Sequence, residues 1–230
     1  MPSTVLREHV CNVLRERIIS GEIPPASGLG EERLAAELDV SRTPLREAIR
    51  RLVDEGFLEQ EPRRGARVVA FTAELVREVY QVREALEGIA AREAAGRMPE
   101  ERVQELRQHL ELLRPRIEQA DFTDTGDFIH EAIFDSCGNS QLQRLMEVYR
   151  GRVRWIQQTS FRISHRLDKA FQEHESIVRA LECGDADWAE TATRRHIRNT
   201  VEELIELLSP KKRSNGFPVP TTNPTAERPT

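Results

Sequence analysis

The sequence predicts a mainly α chain in two parts: a small N-terminal unit of helices with a single β-hairpin, followed by an all-α antiparallel helical bundle. Three observations carry this prediction. Apolar residues recur at helical spacing through most of the 230 residues. Two short strand candidates flank one turn, Pro62-Arg63-Arg64-Gly65, whereas residues 72–208 contain no convincing strand pattern. The breaks between helical stretches are short, which makes sequential helices antiparallel neighbours. A chain of this length can bury a sizeable core and divide in two. The expected boundaries are 1–71, 72–208 and a tail, 209–230, that is rich in Pro, Thr, Ser and Asn and is expected to be disordered.

Taken in order, Val5, Leu6, Val10, Val13, Leu14, Ile18 and Ile19 form a helical stripe that ends at Ser20-Gly21. Pro24-Pro25 and Gly28-Leu29-Gly30 make a loop. A short helix follows from about Glu31 to Leu38, and Asp39-Val40 turns directly into Ser41–Leu52, SRTPLREAIRRL. Ser41 is placed to cap that helix, and Pro44 falls in the first turn, where its missing amide costs nothing. Leu45, Ala48, Ile49, Leu52 and Val53 mark a buried face, while Arg42, Arg46 and Arg50, four residues apart, form a row on the other side. Two short helices joined by a tight turn, the second basic, are a helix-turn-helix whose second helix suits the major groove. Phe57–Gln60 and Ala66–Val69 then form a hairpin with a basic, glycine-containing tip, a wing able to reach a phosphate or the minor groove.

With these residues in place, positions 5–70 resemble the winged helix-turn-helix of the GntR family of bacterial transcription regulators. The family's pattern is followed nearly end to end in ISGEIPP, LAAELDVSRTPLREAIRRLVDEGFLE and RGARV. The resemblance implies DNA contacts from Arg42, Thr43, Arg46 and Arg50, with Gly65 in the wing. One position departs: family members commonly carry an arginine where this chain has Glu32. Arg33, next door, is the candidate to replace it, and the operator is expected to differ at whatever that arginine reads.

The formal net charge is −5. An acidic chain binds DNA if its positive charge is local, as it is at 42–51. Only 3 lysines accompany 31 arginines, so basic contacts here are guanidinium contacts capable of bidentate readout. Cys11, Cys137 and Cys183 form no CxxC pair and read as buried or incidental thiols in a reducing cytoplasm. No apolar run approaches 18 residues and no signal-peptide pattern is present, so a cytoplasmic chain without a membrane partner is expected.

Six helices are expected in the bundle: 73–96, 99–119, 122–136, 139–160, 167–183 and 185–208. Of six histidines, His9, His109 and His165 have no obvious companions and are assigned to the surface. The other three stand on three different bundle helices. His130 lies among Phe128, Ile129, Ile133 and Phe134. His174 precedes Ile177, Val178 and Leu181. His196 shares a face with Ala189, Ala192, Thr193 and Thr200, small residues that leave space for a cavity. Singly, each is a partly buried histidine with one hydrogen bond. Together with a carboxylate, three imidazoles in a bundle core form a competent site for a divalent ion.

Residues 72–208 are similar to the FCD domain, the effector-binding bundle of the FadR subfamily of GntR regulators, in its six-helix VanR-like group. His130 precedes Gly138-Asn139, and His174 precedes Gly184-Asp185 and His196, in the family's order and spacing. The resemblance implies a metal held by the three histidines and by an aspartate four residues before the first. That position is Gly126 here, and Asp127 follows one residue later, on the same helix face as His130 but at a different angle; Asp124 points elsewhere. Zinc is the expected ion, with nickel or manganese as alternatives. Arg83, in YQVREALE, matches the arginine of the family's first effector helix, and Arg154 is a second candidate for an anionic ligand.

These features predict a homodimeric repressor that binds a pseudo-palindromic double-stranded operator of a metabolic operon, with affinity set by a small carboxylate effector at the bundle's metal site. The alternatives are a metal-dependent enzyme carrying a DNA-binding head, or a regulator whose bundle site is vacant or purely structural. No nucleophile constellation such as G-x-S-x-G supports an enzyme.

Overall fold

Val10, Leu14 and Ile18 recur every fourth residue, and in the computed structural model, which describes residues 3–118, 127–161 and 167–208, they are buried along the first helix, α1 (Ser3–Ile19). Val5, in the first turn, remains half exposed, and burial begins at Val10. The chain then crosses to α2 (Glu31–Glu37), which buries Leu34 and Ala35. Asp39, at φ +51°, turns it sharply into α3 (Arg42–Asp54). Leu45, Ala48, Ile49 and Leu52 are the buried face of α3, as their spacing requires. Ser41 does occupy the N-cap position, but its hydroxyl makes no capping bond. The first turn of α3 is exposed, so its amides face solvent without it.

Two antiparallel strands follow, β1 (Leu58–Glu61) and β2 (Gly65–Val68), paired Leu58 to Val68 and Glu61 to Gly65. They start one residue away from the expected strands. Gly65 takes φ +85°, a conformation open to glycine, at the end of the wing turn. The loop before α2 lies beside β2: Ala26 donates to the Val68 carbonyl, Val68 to that of Ser27, and Leu29 to that of Ala66.

The six expected bundle helices are α4 (Ala73–Ala95), α5 (Glu100–Glu118), α6 (Asp127–Ser136), α7 (Ser140–Phe161), α8 (Leu167–Glu182) and α9 (Ala186–Leu208). Thr72 caps α4 by accepting from the Leu75 amide. The Gly138-Asn139 and Gly184-Asp185 pairs have a shared physical cause. Each glycine adopts a positive φ, +67° and +65°, to leave one helix. The residue after it caps the next: Asn139 accepts from the amides of Gln141 and Leu142, and Asp185 from that of Trp188. The start of α6 at Asp127 is as described; the expected residues 122–126, including Asp124, lie outside the described residues, as do His165 and the tail 209–230.

Helix α4 is the centre of the bundle, packed along α9 and against α6, α7 and α8. Its closest companion is α9, through buried alanines on both sides: Ala90, Ala91 and Ala94 against a face with Ala189 and Ala192. The small face of α9, expected to open a cavity, is spent on this close approach instead. At Gly88 a β-carbon would stand 2.6 Å from Arg194 Nε, so the guanidinium stem of α9 occupies the space that a side chain would need. Head and bundle meet where α7 packs against α1. Phe57 and Phe71 both pack on Trp155, with ring centroids at 6.0 and 5.7 Å, and Phe57 presses on Gly151.

Candidate functional site

Arg42, Thr43, Arg46 and Arg50 are exposed along one side of α3, opposite its buried face. Two of these arginines are already engaged by the acidic start of α2. Arg42 Nη2 donates to Glu32 Oε1 at 2.5 Å, and Arg46 Nε to Glu31 Oε2 at 2.9 Å. Arg33 is turned away from this pairing, its Nε 3.3 Å from Glu37 one turn further along α2. Gly65 stands beside the same group, since a β-carbon there would lie 3.9 Å from Glu31 Oε1. In the unbound chain each of these two guanidinium groups therefore faces a carboxylate.

In the bundle, α6, α8 and α9 each bring one histidine to a common point. His130, His174 and His196 are all buried, and one nitrogen of each ring lies within 4.8 Å of the others. The Nε2 atoms of His174 and His196 are 3.3 Å apart. Two nitrogens bound to zinc at tetrahedral angles are about 3.3 Å apart, given bond lengths of about 2.0–2.1 Å, so the spacing suits the ion. The ring orientations have visible causes. His196 Nδ1 is 2.8 Å from Glu173 Oε2, and Glu173 in turn accepts from Asn199 at 2.6 Å. His130 Nδ1 is 2.6 Å from Glu87 Oε2, although off the axis of a hydrogen bond, and neither atom has another hydrogen-bond partner. Carboxylates at Nδ1 leave Nε2 as the inward, ligating nitrogen, the arrangement that orients metal-binding imidazoles. Burial is the largest influence on His196, pushing it down to about 4 despite Glu173, with His130 and Arg83 adding to the effect. The ring is therefore neutral and able to donate a lone pair at ordinary pH.

Asp127 does not join the three rings. It is exposed in the first turn of α6, and its Oδ1 accepts from Gln157 Nε2 of α7 at 2.9 Å. An aspartate three residues before His130, rather than four, is rotated off the direction in which the ring points. The carboxylate nearest to His130 is Glu87, from α4. Burial would raise Glu87, but Arg83 and then His130 outweigh it and hold the group at about 2. Arg83 Nε donates to Glu87 Oε1 at 2.6 Å in this buried seam. Burial opposes the charge of Arg83, and Glu87 and Tyr80 more than offset that, so the guanidinium remains charged.

A cavity of about 110 Å³ opens beside His130, lined by residues of α4, α6 and α7 that include Arg83, Asp127, Arg150, Arg154 and Gln157. That is room for a few waters or a small acid, a water's share of liquid being about 30 Å³. Both arginines named from the sequence reach this cavity. Arg83 enters it with its Nε held by Glu87, and Arg154 does so while bonding both oxygens of Glu16 on α1, at 2.9 Å each. Helix α7 thus has one side on the cavity and another on the head.

Sequence reasoning missed Glu87 and Glu173. Glu87 follows Arg83 by four residues and looks like an exposed helical ion pair; Glu173 is the immediate neighbour of His174 and would be placed on another face of the helix. It also missed the joint of Phe57, Gly151 and Trp155, whose residues are far apart along the chain. Of the remaining histidines, His9 is exposed, as expected, while His109 is half-buried with its ring 3.9 Å from that of Phe128. Cys11 and Cys137 are buried thiols and Cys183 an exposed one.

Comparison with known proteins finds two family models along the chain. Residues 6–68 match the model for bacterial regulatory proteins of the gntR family, and residues 78–199 match the FCD domain. A probable D-xylose utilization operon transcriptional repressor of Paenarthrobacter nicotinovorans is 32% identical, over 84% of this chain and 86% of its own. The HTH-type transcriptional regulator YdhC of Bacillus subtilis is 27% identical over 87% of this chain and 92% of its own. Among solved structures, E. coli McbR/YncC shares the fold, with a TM-score of 0.67 at 22% identity over 89% of this chain and 99% of that one. A winged helix-turn-helix joined to a bundle that gathers three histidines, matched in both parts, makes this chain a member of the GntR family of bacterial regulatory proteins, with an FCD domain after its DNA-binding head.

Proposed function

We propose that the chain is a cytoplasmic, homodimeric transcriptional repressor of a metabolic operon, whose hold on a pseudo-palindromic operator is set by a small carboxylate effector bound at a zinc site in the bundle. Residues 1–71 act as the DNA-binding domain and 72–208 as the effector and dimerisation domain. The observation that carries the proposal is the convergence of His130, His174 and His196 beside a cavity whose wall, α7, also packs against the head. Zinc, or nickel or manganese in its place, supplies a Lewis-acidic anchor for a carboxylate. His130, His174 and His196 hold it, the rings of His130 and His196 being oriented by Glu87 and Glu173, while Asp127 lines the cavity. Arg83 and Arg154 supply positive charge for the rest of an anion. On the head, Arg42, Thr43, Arg46 and Arg50 read the major groove, with Arg33 and the wing residue Gly65 at its edge.

Coupling follows from linkage. Two heads bind a pseudo-palindrome only when their recognition helices are about one turn of DNA apart. A ligand that prefers one head spacing shifts the equilibrium by its difference in affinity for the two, and by no more. Arg154 is the side chain best placed to feel both ends, since it borders the cavity and grips Glu16 of α1. Operon repressors are among the relatives, which supports repression.

The test combines metal analysis with ligand screening. Purified protein should carry one zinc per chain, lost in His174→Ala, and small carboxylic acids that bind should raise the melting temperature by mass action. Protein that carries no metal and shows no shift with any acid would leave the regulator assignment standing but reject the effector site; turnover of an acid would reject the non-enzymatic reading.

A further inference from the structure

Glu32 is a carboxylate on the DNA-reading face. It is 79% exposed, and its Oε1 holds Arg42 Nη2 at 2.5 Å across the turn between α2 and α3. Nothing about the fold requires it there: neither side chain is buried, and an exposed ion pair adds little to stability. Its position matters for a different equilibrium. When the face meets a duplex, Arg42 must leave Glu32 before it can serve the DNA, and the carboxylate that stays behind lies against a polyanion. Bound only through phosphates, the chain gains one charge contact and suffers one repulsion. Bound where Arg42 meets the O6 and N7 of a guanine, it gains a bidentate bond that the phosphate cannot match.

We propose that Glu32 is a specificity-determining residue: by holding Arg42 away from phosphates, it weakens binding to arbitrary sequence more than binding to the operator. This is discrimination by a repulsive element rather than by a new attraction. It rests on the assignment of α3 as the recognition helix. The neighbouring pair, Glu31 with Arg46, differs in that Glu31 is only 26% exposed and stands against the wing beside Gly65, so it braces Arg46 from behind.

The experiment measures the affinity of the full chain for two duplexes as a function of salt: one selected from a random library by the wild-type protein, and one of random sequence. Glu32→Gln keeps the shape and removes the charge. It should tighten binding to the random duplex by roughly two- to fivefold, the scale of an exposed ion pair, and leave the selected duplex less affected, so the ratio of affinities falls. The salt slope on the random duplex should steepen by up to about 0.9, the share of one additional phosphate contact. Glu105→Gln, the same charge change on the exposed side of α5, should leave the ratio unchanged. A ratio unaltered by Glu32→Gln overturns the proposal, including the case in which both affinities rise together as they would from net charge alone. Arg46→Ala separates this failure from that of the underlying assignment: if it leaves binding to both duplexes intact, the recognition helix itself is misassigned.

Discussion

Nδ1 of His130 and Oε2 of Glu87 lie 2.6 Å apart in the buried seam between α6 and α4. Glu87 also accepts from Arg83, so one carboxylate lies against a ring of the candidate metal site on one side and holds a cavity-lining guanidinium on the other. Glu87→Gln should lower zinc affinity about 10- to 100-fold, the usual effect of removing such a support, as read by competition with a chelating dye. Glu87→Ala should be worse in a second respect. It strands Arg83 without a counter-charge in the interior, and a loss of about 3–5 kcal/mol in unfolding free energy is expected from urea titration.

The metal-free chain should be sensitive to acid in two steps. His196 takes up a proton near 6.5 when unfolded but only at about 4 when folded, because burial disfavours its charge. Between those values the unfolded state binds more protons, so stability falls as pH is lowered through that window. Glu87, held at about 2 against an ordinary 4.5, adds a second loss below pH 4.5. Denaturant midpoints of chelator-treated protein at pH 7, 5 and 3.5 should decline in sequence, and His196→Gln should flatten the first interval. A midpoint that is constant from pH 7 to 5 in the wild type would contradict the burial argument.

The turns that launch α7 and α9 offer a local test. Asn139→Ala removes the acceptor for two amides at the start of α7 and should cost about 1 kcal/mol. Gly138→Ala should cost about 1 kcal/mol or more, since its φ of +67° disfavours a side chain and the new methyl would meet Arg97 Nη1 at 3.2 Å. Both are read from urea unfolding of the metal-free protein.

On DNA, Arg46→Ala should weaken operator binding by about 1–3 kcal/mol at moderate salt, read by fluorescence anisotropy, without shifting the melting temperature of the free protein. Glu31 loses its partner in that variant but is partly exposed, so solvent compensates it.

Much of this arrangement is legible in the amino-acid sequence. The spacing of Leu45, Ala48, Ile49 and Leu52 fixes which side of α3 is buried, and so which side carries the arginines. The three histidines stand on separate helices among apolar neighbours, and a bundle brings such positions together. Other features depend on helix phase and on contacts between distant segments. Asp127 sits one residue late, and a single residue rotates a helical side chain by about 100°. The alanines of α9 read equally well as the wall of a cavity or as a packing seam, and only the position of α4 decides. Arg83 and Glu87 have the spacing of an exposed pair and prove to be buried at the edge of the cavity.

The joint between head and bundle has its own weak point. Phe57 Cζ would stand 2.9 Å from a β-carbon at Gly151, so α7 accepts the ring only because that position is glycine. Gly151→Val should destabilise the chain by about 1–3 kcal/mol through overpacking, a cost read as a lower denaturant midpoint. A helical glycine is itself about 1 kcal/mol worse than alanine, so the fold tolerates a local weakness for the sake of this contact.

That contact makes the two halves a matched set rather than interchangeable cassettes. A head grafted onto a foreign bundle brings Phe57 to a helix with no notch cut for it, and the reverse graft leaves the notch beside Trp155 unfilled. Chimeras built by exchanging heads at the proposed 71/72 junction would therefore carry over both modules and still lose the packing between them, unless positions 57, 151 and 155 travel together.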